Sequence, residues 1–261
     1  MPIKYVRRLS GRKRSRDANR HLGFSLAFVA GATNAGGFLA VQQYTSHMTG
    51  VVSSMADHLV LGSHELVLNG VGGLLSFLSG AMCSAMMVNY ARRRRMHSEF
   101  ALPLLLEAVL LLCFGVLGAR LAQIEGLFVP LTVMLLCFIM GLQNAMVTKI
   151  SQAEVRTTHM TGVITDLGIE LGKLFYWNGT GLPPESHVRA NRARLRLFAA
   201  LLGMFTAGGV IGAAGFKYIG FGWVVPFAVV LLTLSLPPLL SDLRQFGRRE
   251  PYRPAPPARQ P

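Results

Sequence analysis

The chain has few charged residues for its length. Of its 261 residues, 15% are charged, whereas a soluble domain usually carries about 25%. Hydrophobic residues make up 51%, and they gather into long runs that short basic segments separate. This distribution excludes an ordinary soluble domain and is typical of an all-α, polytopic transmembrane bundle.

Cysteine is also scarce, and the usual catalytic motifs are missing. The three cysteines, Cys83, Cys113 and Cys137, each lie inside an apolar run, without a CxxC pair or a zinc-type spacing. We interpret them as small packing residues. The sequence contains no HExxH, GxSxG or paired-aspartate motif. It therefore predicts no metal, no cofactor and no enzymatic activity.

Acidic residues are few compared with basic ones, at 12 against 26, which gives a formal net charge of +14. Such an excess can indicate nucleic-acid binding. Here the basic residues lie beside the apolar runs, where membrane topology accounts for them better. We expect a lipid bilayer as the partner and no nucleic acid.

Six stretches are long and apolar enough to span a bilayer, which takes about 20 helical residues. With the N-terminus inside, 24 of the 26 Lys and Arg residues fall on the inner side. We therefore expect a bacterial inner-membrane protein with both termini in the cytoplasm. The predicted spans are 22–42, 66–90, 101–119, 127–148, 197–216 and 219–240.

Two further segments, 47–62 and 159–176, are partly apolar but short and polar in places. A full crossing by 47–62 would place the basic run 92–95 outside, against the charge rule. We interpret both segments as broken, re-entrant or interfacial helices.

The sequence repeats itself. The motif at 28–35 returns at 138–145, and the motif at 47–51 returns at 159–163. The first copy lies on a span predicted to run outward and the second on a span predicted to run inward. The pattern predicts a 3+3 inverted repeat, with halves at 22–120 and 121–241. A basic arm at 1–21 precedes them, and we expect the Pro-rich tail at 242–261 to be disordered.

Inverted repeats recur in secondary transporters, where broken helices meet a site near the midplane. Polar residues of the repeated motifs are the candidate substrate-binding residues: Asn34, His47, Thr49, Gln143, Asn144, His159 and Thr161. Thr45 or Ser46, and Thr157 or Thr158, could cap the two short helices. The alternative interpretation is that the repeated Asn and His residues only join helices by hydrogen bonds.

Carboxylates in or near the spans are a second set of candidates. Glu107 has apolar neighbours within a span and is a candidate coupling residue for a proton or cation, although water could reach it from the nearby helix end. Asp57, Asp166 and Glu170 lie on the two short segments, and we expect them on a solvated face.

Small residues recur four apart in two spans and favour close helix packing, either within the chain or between protomers. They are Ser76, Gly80 and Ser84 in the second span, and Gly208 and Gly212 in the fifth. In the sixth span, Pro226 and the pair Pro237-Pro238 are expected to kink or end the helix.

The motifs resemble those of the YoaK family, also described as DUF1275, over about 22–241. The resemblance rests on Gly31-x-x-Asn34-Ala35, on 47–50, and on 141–145 followed by 156–162. Many members have Asp where this chain has Asn34, and Asn where it has Val51. If that Asp carries a proton or cation in relatives, this chain lacks that coupling. The resemblance implies a membrane protein and no particular substrate.

We expect a small-solute or ion transporter that works as a homo-oligomer. The alternative is a non-transporting membrane protein that binds a lipid or a partner protein and uses its small residues for assembly alone.

Overall fold

Every regular element in the part of the chain that the structure describes is helical. The structure is a computed structural model, and it describes residues 16–94, 96, 98–121, 125–150, 160–179, 183, 185 and 187–246. We number the helices in chain order. They are α1 (Arg16–Val41), α2 (Met48–Val60), α3 (His64–Arg93), α4 (Ala101–Leu121), α5 (Glu125–Ile150), α6 (Met160–Phe175), α7 (Arg192–Tyr218) and α8 (Val224–Phe246), with a 3-10 turn at Gly220–Trp223.

Among the described residues, six helices are long and apolar enough to cross a membrane, and they match the six predicted spans. The predicted ends differ from the observed ones by a few residues, because polar and basic residues continue several helices beyond the apolar run. The six stretches are Arg20–Val41, His64–Arg93, Ala101–Arg120, Val129–Lys149, Arg192–Tyr218 and Gly220–Asp242. The prediction of an all-α polytopic bundle is confirmed.

The prolines of α8 do not end the helix. Pro226 lies in the first turn, where a missing N–H costs no helical hydrogen bond. Pro237 and Pro238 lie within the helix, which continues to Phe246. Of the two effects expected of this pair, a kink or an end of the span, the second does not occur. α8 also reaches four residues past Asp242, into the segment assigned to the tail.

Two close crossings, α1 with α7 and α3 with α5, use the same backbone contact. The carbonyl oxygens of Phe28 and Phe205 face Gly208 and Gly31, respectively, where a β-carbon on either glycine would overlap them. In the second crossing, Gly80 and Gly141 face the carbonyl oxygens of Phe138 and Phe77 in the same way. A Phe-x-x-Gly sequence thus lies at the crossing point in each of four helices.

The contacts also give the directions of these helices. Phe28 meets Gly208 and Ala32 meets Gly212, so residue numbers rise together and α1 runs parallel to α7. The glycines of α3 contact residues of α5 in the same rising order, so α3 and α5 are also parallel. The small residues at these crossings therefore pack within the chain.

Other contacts run antiparallel. Gly37 of α1 meets Leu136 of α5, while Gln143 reaches back to Leu26. Because α1 is antiparallel to α5 and α5 is parallel to α3, α1 and α3 run in opposite directions. The same reasoning applies to α5 and α7. Two spans that run in opposite directions need no further crossing between them. α2 lies between α1 and α3, and α6 lies between α5 and α7, so neither short helix adds a membrane crossing.

The short helices lie at opposite ends of the bundle. α2 has 13 residues and packs on α3, whereas α6 has 16 residues and packs on α7. At 1.5 Å per residue they are roughly 20 and 24 Å long, shorter than the bilayer core. Gly62, with φ of +74°, makes the turn that lets α2 fold back against α3. No residue of α2 is buried.

α4 and α8 form the third close pair, and they run antiparallel. Gly115 meets Val224, and Gly118 meets Phe221. The ring of Phe221 also stands edge-on to Phe114, with 5.7 Å between the centroids. The 3-10 turn thereby joins α7 and α8 to α4 through aromatic packing.

Candidate functional site

The first repeated asparagine is part of a local hydrogen bond. The hydroxyl of Ser46 donates to Oδ1 of Asn34 over 2.8 Å. This bond ties the segment before α2 to the last turns of α1. It also corrects the expected capping, because the side chain of Ser46 is used elsewhere and α2 begins after His47 without a side-chain cap. Thr45 is buried, and its hydroxyl has no partner among the described residues.

The second repeated motif, at 47–51 after α1 and at 159–163 after α5, has described polar side chains that point to solvent or lipid. His47 and Thr49 at the start of α2 are exposed, and so is Thr161 at the start of α6. The ring of His47 lies against Gly50. His159, Thr157 and Thr158 lie outside the described residues. The structure therefore does not bring His47, Thr49 or Thr161 into the helix bundle.

Gln143 and Asn144 are buried in α5. Gln143 is fully buried, and its amide nitrogen donates to the carbonyl oxygen of Leu26 over 3.4 Å, which joins α5 to α1. Its oxygen Oε1 has no partner among the described residues. Asn144 is 7% exposed. A buried amide oxygen without a partner costs free energy, so Gln143 is a candidate binding group as well as a helix contact.

Glu107 places an ionisable group inside the bundle. It lies in α4, is fully buried, and neither of its carboxyl oxygens has a hydrogen-bond partner among the described residues. A charged carboxylate in such a place would have to be protonated or bind a cation. The sequence had left open that water reaches Glu107 from the nearby helix end. In the structure the side chain is buried instead.

The candidate residues do not form one cluster at a single depth. Asn34 lies near the end of α1 that α2 adjoins, while Gln143 and Glu107 lie near the other end of the bundle. Since Gly37 is level with Leu136 and Leu26 is level with Gln143, Asn144 lies roughly 10 Å along the bundle from Asn34. Asn34 and Asn144 therefore do not meet, although the two helices that carry them touch.

A cavity of about 290 Å³ lies at the end of the bundle next to α2. The end of α1, one side of α2, and the first turns of α3 and α5 line it, and it is partly open. Five polar side chains line it: Gln42, Gln43, Ser54, His58 and Asn69. The remaining lining residues are glycine or apolar residues: Val41, Val51, Met55, Leu66, Leu68, Gly70, Gly72, Val129, Pro130, Val133 and Met134.

Sequence reasoning missed this cavity. Its polar residues come from the end of α1, from α2 and from the start of α3, and none of them belongs to a repeated motif. The sequence offered only a weak signal, because His58 and Asn69 are polar residues on either side of the turn at Gly62. Only the packing of α2 on α3 shows that they share a cavity.

Several polar contacts connect the helices at the end of the bundle opposite α2. Asp242 of α8 accepts hydrogen bonds from the backbone N–H and the hydroxyl of Ser98, and all of these groups are buried. Nε of Arg92 lies 3.0 Å from a carboxylate oxygen of Glu99. Lys149 donates to the carbonyl oxygen of Ala85 over 3.2 Å. These contacts join the ends of α3, α5 and α8.

Glu170 of α6 corrects one expectation. Asp57 and Asp166 are exposed as expected, but Glu170 is 4% exposed. It accepts from Nζ of Lys173 over 2.9 Å and from the backbone N–H of Asn191 over 2.6 Å. These hydrogen bonds hold the pKa of Glu170 below its ordinary value. Its role is to fasten α6 to the start of α7.

In the part of the chain that the structure describes, no three His, Cys, Asp or Glu residues come close enough to hold a metal ion. The described candidates are therefore a carboxyl group in α4, a buried amide in α5 and a neutral polar cavity under α2.

Comparison with known proteins places these features in a family. The model of the family described as "Protein of unknown function (DUF1275)" matches residues 22–236. The UPF0700 transmembrane protein YoaK of Bacillus subtilis (strain 168) is 27% identical over 155 residues, which cover 58% of this chain and 67% of that protein. No solved structure matches the chain.

Proposed function

The chain belongs to the DUF1275 family of membrane proteins, and on this premise we propose that it transports a small solute or ion across the bacterial inner membrane. The distribution of Lys and Arg supports an orientation with both termini in the cytoplasm. α2 then lies at the outer end of the bundle and α6 at the inner end.

The observation that carries the proposal is the carboxyl group of Glu107. It is fully buried in a span, and no described residue donates to either oxygen. Ionisable groups within spans are costly and are found mostly on ion or substrate paths. Proton transfer or transient cation binding at this carboxyl group would account for the free-energy cost of burying it.

The helix contacts add support. The α1–α7 and α3–α5 crossings use equivalent Phe carbonyl and Gly contacts, and the equivalent helices of each repeat copy, α1 and α5, are antiparallel. This arrangement is what a 3+3 inverted repeat would produce. In transporters with such repeats, one unit moves against the other around a fixed site.

The proposal is tested by flux through the purified protein in vesicles. The vesicles enclose a pH-sensitive dye, and proton entry is followed as alkali cations, sugars, amino acids or neutral amides are added outside. We expect at least one of them to drive proton or solute movement, and we expect Glu107→Gln to reduce that movement at least ten-fold. Glu65→Gln, at an exposed position of α3, is the matched control and should leave the flux unchanged.

Flux that stays at the protein-free baseline for every compound would contradict the proposal. So would a Glu107→Gln variant that transports like the unaltered protein, because the carrying observation would then have no functional consequence.

A non-transporting protein that binds a lipid or a partner is the second candidate. The hydrogen bond from Ser46 to Asn34 favours it, because it gives the repeated asparagine a purely structural role. On this alternative, Asn34→Ala lowers the yield of folded protein and no compound produces flux. On the transport proposal, the unaltered protein carries flux with at least one compound, whatever Asn34→Ala does to the folded yield.

A further inference from the structure

We propose that the cavity under α2 is a binding site for a small uncharged molecule that combines a hydrogen-bonding group with an apolar body. The cavity is separate from Glu107, and binding to it does not depend on transport. The inference rests on the chemistry of the lining, on one histidine nitrogen, and on the backbone at the end of α1.

The lining selects against charged molecules. The described residues around the cavity include three carboxamides, one hydroxyl and one imidazole, but no Asp, Glu, Lys or Arg. A charged molecule entering this space would lose its hydration without gaining an opposite charge, which is costly. An uncharged polar molecule could exchange its water for amide and hydroxyl partners.

One side chain offers an unused hydrogen-bonding atom. Nδ1 of His58 is buried and has no hydrogen-bond partner among the described residues. His58 lies on the side of α2 that lines the cavity. A buried ring nitrogen without a partner costs free energy unless a ligand or water pairs with it. It can accept from a ligand N–H or O–H, or donate to a ligand oxygen in the other tautomer.

The end of α1 shows a second feature at the same place. Gln42 has φ of +56°, in the left-handed region that few residues other than glycine adopt, while its backbone N–H still bonds to the carbonyl oxygen of Phe38 over 2.7 Å. A glycine here would avoid the strain. The glutamine places an amide side chain in the cavity lining, and strained backbone of this kind often occurs at binding sites.

The volume limits the size of the ligand. At about 30 Å³ per water, 290 Å³ corresponds to roughly ten waters. A molecule of about ten non-hydrogen atoms would fit. Met55, Val133 and Met134 supply the apolar side of the lining and would contact its hydrocarbon part.

Three molecules of the same shape and different charge test the proposal: benzamide, benzoate and benzamidinium. Each is added to the full-length protein in lipid nanodiscs, and binding is measured by saturation-transfer NMR and titration. We expect benzamide to bind at least five-fold more tightly than either charged molecule. We expect His58→Leu to weaken benzamide binding at least five-fold. His64→Leu, at an exposed histidine at the start of α3, is the matched control.

A second variant guards against misfolding. Ser54→Leu adds bulk on the cavity side of α2, which has no buried residue whose packing it would disturb. It should also abolish benzamide binding, while its thermal unfolding stays that of the unaltered protein.

Three results would overturn the proposal. The first is no binding of benzamide, and the second is equal binding of the three molecules. The third is benzamide binding that His58→Leu and His64→Leu leave equally strong, because the cavity would then be an apolar groove for lipid chains.

Discussion

The carbonyl oxygen of Phe28 faces Gly208 so closely that a β-carbon on the glycine would overlap it. The reciprocal contact, from Phe205 to Gly31, lies one turn away, so two backbones meet without side chains between them. Such an approach gives each helix many weak contacts along its length, which is the main source of attraction between helices in lipid. The same pair of contacts recurs between α3 and α5, and the bundle depends on both.

Gly208→Ala tests this dependence. The added methyl group has to push α7 away from the backbone of α1, and we expect a loss of about 1–3 kcal/mol in the free energy of unfolding, as for other overpacked contacts. Gly203→Ala, in the same helix, is the control because nothing lies within 4 Å of its β-carbon position. Unfolding by denaturing detergent measures both. Equal stability of the two variants would show that the close crossing does not hold the bundle together.

The sequence predicted the spans because length and apolarity alone decide them. It also identified Gly80 and Gly208 as residues for close packing. It could not pair them, because a small residue carries no information about which helix it meets. The contacts show that the partners come from opposite halves of the chain.

The candidate site was predicted less well. Glu107 was identified from its apolar neighbours, and the structure buries it fully. Asn34 and His47 were chosen because they recur, yet recurrence marks positions that matter for folding as readily as positions that bind. Asn34 bonds to Ser46 and His47 is exposed. The lining of the α2 cavity needed the three-dimensional packing.

The positions of the short helices predict a labelling pattern. In a background without Cys83, Cys113 and Cys137, a single cysteine replaces Leu61 after α2 or Glu185 between α6 and α7. Both positions are exposed. Because neither short helix adds a crossing, we expect Leu61→Cys to react with an impermeant thiol reagent from outside only, and Glu185→Cys from inside only. Labelling of both from one side would contradict the direction of α5 relative to α1.

Asp242→Ala should loosen the end of the bundle where α3, α4 and α8 meet. Without the carboxylate, the buried N–H and hydroxyl of Ser98 lose an acceptor, and an unsatisfied buried donor costs about 1–3 kcal/mol. We expect a clearly lower midpoint in thermal unfolding. Asp166→Ala, at an exposed position, should leave the midpoint within error. If both variants melted alike, the contact between Ser98 and Asp242 would contribute nothing to stability.

The attachment of α6 to α7 should depend on pH through Glu170. Since hydrogen bonds from Lys173 and from the N–H of Asn191 lower its pKa below 4.5, folding favours the carboxylate. Its contribution to stability is therefore complete above about pH 4.5 and disappears as the pH falls through the lowered value. We expect Glu170→Gln to melt at a lower temperature than the unaltered protein at pH 7 and pH 5. The difference should shrink below pH 4.5, because the unfolded chain then takes up a proton at this carboxyl group and the carboxylate favours folding less.

The exposed residue Glu185 provides the control for this pH dependence. Glu185→Gln should melt with the unaltered protein at every pH. Thermal unfolding of the three proteins between pH 7 and pH 3.5, followed by circular dichroism, makes the comparison. A gap between Glu170→Gln and the unaltered protein that stayed constant down to pH 3.5 would mean that the shape of the side chain fastens α6. Its charge would then play no part, because a pKa that folding lowers must make the stability fall as the pH drops below 4.5.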